Sequence, residues 1–169
     1  MESCKTFAMK KVILVRHAKS SWKHNVPDIE RPISNRGYND ANLMVGILNN
    51  FSINIDGVFS SNSKRTLETA KIFLKNLNNY KKLDIIKSSD LYDFYGNKVD
   101  SFIKDLNNDL STVMIFSHND TCNNLLFKYG NIININVPTS GILIFEFDVS
   151  LWADIKSGHC KYFFPKKFK

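Results

Sequence analysis

The chain has 169 residues, 43% of them hydrophobic, and a formal charge of +7. That length suits one domain with a sizeable core, and no apolar run approaches the roughly 20 residues that a bilayer-spanning helix needs, so no membrane partner is expected. The positive balance fits an anionic ligand, but much of it sits in Lys81-Lys82 and the tail from Lys161 to Lys169, and no nucleic-acid motif accompanies it, so nucleic acid is not an expected partner.

Met1 to Ala8 lacks a basic start and an apolar signal core and reads as a disordered extension, with the domain running from residue 9 to 169. Lys11 to Val15 then reads as an apolar, buried strand that ends on Arg16-His17, and the carboxyl end of such a strand is where a phosphate-handling pair would sit. A polar loop follows from Lys19 to Arg31. A helix is predicted from near Ser34, with Ala41, Met44, Ile47, Leu48 and Phe51 facing the core. Gly57 to Ser61 is a second short strand. Ser63 caps the next helix, which puts Arg65 in its first turn and Leu67, Ala70, Phe73, Leu74 and Leu77 on its apolar stripe.

Asp84 to Lys87 is a third strand, and Val99, Phe102, Ile103 and Leu106 mark a third helix. Thr112 to Phe116 is a β-branched strand that ends on Ser117-His118, followed by a helix from Cys122 to Tyr129. Ile142 to Phe147 is a strand, and Leu151 to Ala153 and Tyr162 to Phe164 read as hairpin-like edge strands. The alternation predicts an α/β three-layer sandwich whose central sheet is mostly parallel and flanked by helices. In such a sheet Arg16, His17, Arg65 and His118 arrive at one edge, where planar guanidinium donors and imidazoles suit a phosphoryl dianion.

The fragments RHAKS at Arg16 to Ser20, SSNSKRTLETA at Ser60 to Ala70 and Ser117-His118 resemble the motifs of the histidine phosphatase superfamily. With RPISNRG at Arg31 to Gly37, Leu91-Tyr92 and the strand after Pro138-Thr139, the spacing is most similar to its SixA-type phosphohistidine phosphatases. The resemblance covers nearly the whole chain from Met9. It implies a phosphoglycerate mutase-like fold, His17 as the phosphorylated nucleophile, Arg16, Arg65 and His118 as the other catalytic residues, and no metal or other cofactor.

Arg31 and Ser20 are candidate substrate contacts, although Asp28 and Glu30 offer Arg31 local partners. Ester-cleaving relatives commonly carry a glutamate proton donor after the third strand; here Ser89 to Gly96 holds Asp90 and Asp93 and no glutamate. Either aspartate could donate a proton or merely cap a turn. Asp120 stands where many relatives have proline.

Three readings follow. The first is removal of phosphate from phosphohistidine on a protein, favoured because Ala70 to Thr112 leaves little room for a helical cap over the site. The second is hydrolysis of small phosphate esters, and the third a phosphate-binding module without catalysis. Cys4, Cys122 and Cys160 show neither metal-ligand nor redox spacing, which points to a reducing cytoplasm.

Overall fold

A computed structural model describes residues 9–78 and 82–169. The expected extension at Met1 to Ala8, and Lys81 of the basic pair, lie outside the described residues. Strands β1 (Lys10–Arg16), β2 (Gly57–Ser60), β3 (Ile85–Lys87), β4 (Thr112–Ser117), β5 (Ile142–Phe147) and β6 (His159–Phe163) form one sheet in the order β3-β2-β4-β1-β5-β6. β1, β2, β3 and β4 run parallel, β5 is antiparallel to β1, and β6 is antiparallel to β5. The α-helices are α1 (Asn35–Leu48), α2 (Lys64–Asn76), α3 (Asn97–Lys104) and α4 (Asn119–Gly130). This is the expected sandwich with a mostly parallel sheet.

Alternation along β1 decides the layers, because successive side chains of a strand point to opposite faces. Ile13 and Val15 join Met44 and Val45 of α1 and Ala70 and Phe73 of α2 in one core. Val12 and Leu14 join Val99 and Ile103 of α3 and Leu125, Leu126 and Tyr129 of α4 in the other. Both faces of the central strands are thus covered, which explains why β1 and β4 read as continuous apolar runs.

The parallel strands all point their carboxyl ends to one edge, and β1 and β4 are neighbours with Arg16 beside Ser117. His17 and His118, each one residue further on, therefore emerge side by side. Ser63 caps α2 by accepting the Thr66 N–H, and Ser34 caps α1 by accepting the Gly37 N–H.

Some details differ from the sequence reading, and Phe51, Leu77 and Leu106 lie just past the ends of α1, α2 and α3. α4 begins at Asn119 with His118 as its N-cap, three residues before the apolar pattern starts, because its first turn is polar. The buried face of α2 runs through Arg65, Thr66 and Thr69 as well as Ala70 and Phe73, while Leu67 is partly exposed. The segment around Leu151 to Ala153 is no edge strand: Trp152–Asp154 is a 3-10 turn that buries Trp152, whose indole N–H donates to the Leu110 carbonyl at 3.0 Å.

Candidate active site

His17 is 8% exposed, and its Nδ1 lies 2.8 Å from the carbonyl oxygen of Ala18. A carbonyl can only accept, so Nδ1 carries the proton and the lone pair resides on Nε2. No hydrogen bond engages that nitrogen among the described residues. Ala18 is itself held on its amino side: its N–H donates to Thr69 Oγ1 at 2.9 Å, and Thr69 Oγ1 donates to the Arg65 carbonyl at 2.6 Å. Ser140, at φ 61°, adds a brace by donating its N–H to the carbonyls of Arg16 and His17.

His118 packs beside His17 with ring centroids 5.3 Å apart. Its Nε2 lies 2.9 Å from Ser61 Oγ, and Arg65 Nη2 lies 3.4 Å from its Nδ1. A guanidinium can only donate, so Nδ1 presents its lone pair and Nε2–H donates to Ser61. Tyr92 and Phe94 pack against the imidazole at 5.1 and 4.9 Å. Burial, then the neighbouring His17 and Arg65, lower the pKa of His118 to about 2, against a weaker opposing pull from Asp28. His17 is lowered to about 3, first by burial and then by Arg65, Arg16 and Arg31, with the Ala18 carbonyl pulling the other way. Both rings are neutral at physiological pH.

Arg65 is 1% exposed. It donates to the main-chain oxygen of Asp28 at 2.6 Å through Nη1 and to its Oδ2 at 2.8 Å through Nη2. Arg31 Nη2 reaches the other carboxylate oxygen at 2.6 Å, and the Tyr92 hydroxyl donates to Oδ2 at 2.6 Å. Arg16 donates Nη1 to the Val137 carbonyl at 2.5 Å. Its charge lowers the pKa of both histidines. The three guanidiniums outnumber the carboxylates near them, Asp28 and the exposed Asp120, and leave the cluster positive, suited to a phosphoryl dianion.

Of the residues picked from sequence, His17, Arg16, Arg65 and His118 are brought together, and Arg31 joins them through Asp28. No side-chain hydrogen bond among the described residues links Ser20 to the cluster; its backbone bridges to Ile33 and holds the loop. Asp93 accepts the backbone N–H groups of Tyr95, Lys98 and Val99 and so caps the start of α3. Asp90 is exposed and lines a separate cleft with Asn97, Lys98 and Ser101. No hydrogen bond or ion pair among the described residues links either carboxylate to the cluster. Asp120 sits in the first turn of α4, where a negative charge suits the helix dipole and faces Arg16.

Asp28 is the principal residue that the sequence pattern does not mark as part of the site. Its spacing to Arg31 signals a local ion pair, whereas its bond to Arg65 depends on how the loop folds over α2. That loop is pinned by Glu68, whose carboxylate accepts the Ile33 N–H at 2.8 Å.

Residues 12–96 match the model of the histidine phosphatase superfamily (branch 1), and the chain belongs to that superfamily. Curated proteins give no sequence match. Among solved structures, the protein histidine phosphatase SixA complexed with tungstate is similar with a TM-score of 0.72 at 21% identity, covering 94% of this chain and 99% of that one. A protein from Agrobacterium tumefaciens, provisionally assigned as the phosphohistidine phosphatase SixA, gives 0.71 at 22% identity, over 82% of this chain and 92% of that one. Phosphoglycerate mutase from Bacillus anthracis gives 0.63 at 14% identity, over 90% and 91%. At such identities these likenesses speak for a phosphoglycerate mutase-like fold.

Proposed function

We propose that the chain is a phosphohistidine phosphatase that removes phosphate from a phosphorylated protein through a phospho-His17 intermediate. The observation that carries this reading is the tautomer lock on His17, whose Nδ1–H bond to the Ala18 carbonyl leaves the Nε2 lone pair free beside three guanidiniums. Nε2 attacks phosphorus as the bond to the substrate nitrogen breaks, and the protonated substrate imidazole departs neutral. Water then attacks phospho-His17, releasing inorganic phosphate and restoring the imidazole. Arg16, Arg31 and Arg65 balance the charge on the phosphoryl oxygens, which is the main catalytic demand of phosphoryl transfer. His118 Nδ1, kept neutral by burial and by the neighbouring His17 and Arg65, gains a proton when the dianion arrives and becomes a further donor.

The choice of phosphohistidine over an ester rests on proton donation. An alkoxide leaving group needs an acid. Asp93 is committed to capping α3, Asp90 lies in another cleft, and Asp28 is ionised between two arginines. The free thiols of Cys122 and Cys160 support a reducing, cytoplasmic setting.

The test is incubation of the protein with a panel of phosphohistidine proteins, sugar phosphates and aryl phosphates, with rapid quenching. Expected are preferential turnover of phosphohistidine and an acid-labile, base-stable adduct on His17 that His17→Ala abolishes. An active His17→Ala variant, or strong preference for sugar phosphates, overturns the reading.

A further inference from the structure

We propose that Asp28 is a built-in competitor for the phosphoryl group: its carboxylate holds the donors that substrate oxygens use, and a phosphoryl dianion binds by displacing it. This inference rests on the phosphoryl-transfer reading above and goes beyond it by assigning a specificity-determining residue. Arg31, Arg65 and the Tyr92 hydroxyl converge on one carboxylate at 2.6, 2.8 and 2.6 Å. These donors come from the loop after β1, from α2 and from the segment after β3, and they meet beside His118. A carboxylate in that position imitates part of a phosphoryl group in charge and in oxygen spacing.

The attachment of Asp28 divides into a fixed and a releasable part. Its main-chain oxygen accepts from Arg65 Nη1 at 2.6 Å, so Arg65 stays aimed whatever the side chain does. The side chain is 47% exposed, so rotation toward solvent meets no packed core. The cleft outside it is lined by Trp22, Lys23, His24, Val26 and Arg31. Arg31 Nε and Nη1 and Arg65 Nε are buried without a hydrogen-bond partner among the described residues, so the carboxylate leaves part of the donor capacity unused. A larger anion with more oxygens can take up more of it.

Charge decides the exchange. Two guanidiniums, Arg31 and Arg65, face one carboxylate, and the Arg16 charge lies close enough to act on both histidines, so positive charge is left uncompensated; a dianion gains more than the departing monoanion loses, while another monoanion gains nothing by exchanging. Asp28 thereby selects terminal phosphoryl groups over phosphodiesters and carboxylates. A general-acid role fits the geometry less well: every contact to the carboxylate comes from a donor. Burial alone would raise its pKa, but the Tyr92 and Arg65 hydrogen bonds and the arginine charges hold it below the ordinary carboxylate value.

A resident competitor lowers apparent affinity by the fraction of molecules in which it occupies the clamp. Titration calorimetry of the full chain with inorganic phosphate and with orthovanadate therefore reads it directly. Expected is binding about tenfold tighter in Asp28→Asn and Asp28→Ala than in wild type, with Asp28→Glu returning toward the wild-type value because the charge is restored. Unchanged or weaker binding in a folded Asp28→Asn protein, or no phosphate binding in any of the proteins, overturns the proposal and makes Asp28 a brace for the arginines. The His17 adduct is scored in parallel on wild type. Its absence alongside the expected affinity ranking would count against the catalytic reading and not against the competitor.

Discussion

Arg65 shows how much one side chain can depend on its surroundings. It occupies the second position of α2, is almost fully buried, and spends both terminal nitrogens on Asp28 while also facing His118. Lysine cannot reproduce that arrangement, since a single ammonium lacks the planar fork that contacts an oxyanion and a backbone carbonyl together. Arg65→Lys and Arg65→Ala should each lower kcat/KM more than tenfold, a loss of about 2 kcal/mol in transition-state stabilisation. Steady-state kinetics on a phosphohistidine protein would measure it, with urea denaturation to confirm that the variants fold. Near-wild-type efficiency in Arg65→Lys would place the guanidinium outside the reaction. A parallel loss is expected for Arg16→Ala, whose charge acts on both histidines.

At the scale of elements, α2 does more than deliver Arg65. Thr69, one turn on, accepts the Ala18 N–H and so steadies the residue whose carbonyl, in the next peptide unit, fixes the His17 tautomer. Thr69→Val keeps the shape but leaves that buried N–H unpaired, costing about 1–3 kcal/mol of stability. If Thr69 positions His17, kcat should fall several-fold with KM little changed, and Thr69→Ser should recover most of it. Equal kcat in folded Thr69→Val would show that strand pairing alone holds Ala18. The sequence makes strand ends legible: the apolar runs of β1 and β4 stop abruptly, and the side chains immediately after them form the cluster. It conceals Thr66 and Thr69, because a helix face turned toward a polar site carries polar residues and breaks the apolar stripe that marks a core face. It conceals Asp28 and Tyr92 too, since their meeting depends on two loops folding toward each other. Gly37 is a case between these: an added Cβ would stand 2.3 Å from the Lys19 carbonyl oxygen, so α1 presses against the loop after His17, a contact that the bare RPISNRG string does not disclose.

For the whole molecule, the clustering of two buried neutral imidazoles among arginines sets how stability follows pH. In the unfolded chain both histidines take up protons as pH falls through about 6.5. In the folded chain they resist until pH approaches about 3 for His17 and about 2 for His118. Between those limits the unfolded state binds more protons, so stability rises with pH; it is complete above the unfolded value and declines on acidification. Each histidine contributes a slope of up to about 1.4 kcal/mol per pH unit, and the two together would remove about 3–4 kcal/mol between about pH 7 and about pH 5, before most carboxylates protonate. Urea denaturation across that window should show the midpoint falling steeply for wild type and much less for the double variant His17→Gln, His118→Gln. Added phosphate should flatten the wild-type curve, because a bound dianion stabilises the protonated rings and binds the folded state alone. A wild-type midpoint that stays level from about pH 7 to about pH 5 would mean that the imidazoles take up protons in the fold over the same range as in the unfolded chain, and the depressed histidine pKa values drawn above would have to be abandoned.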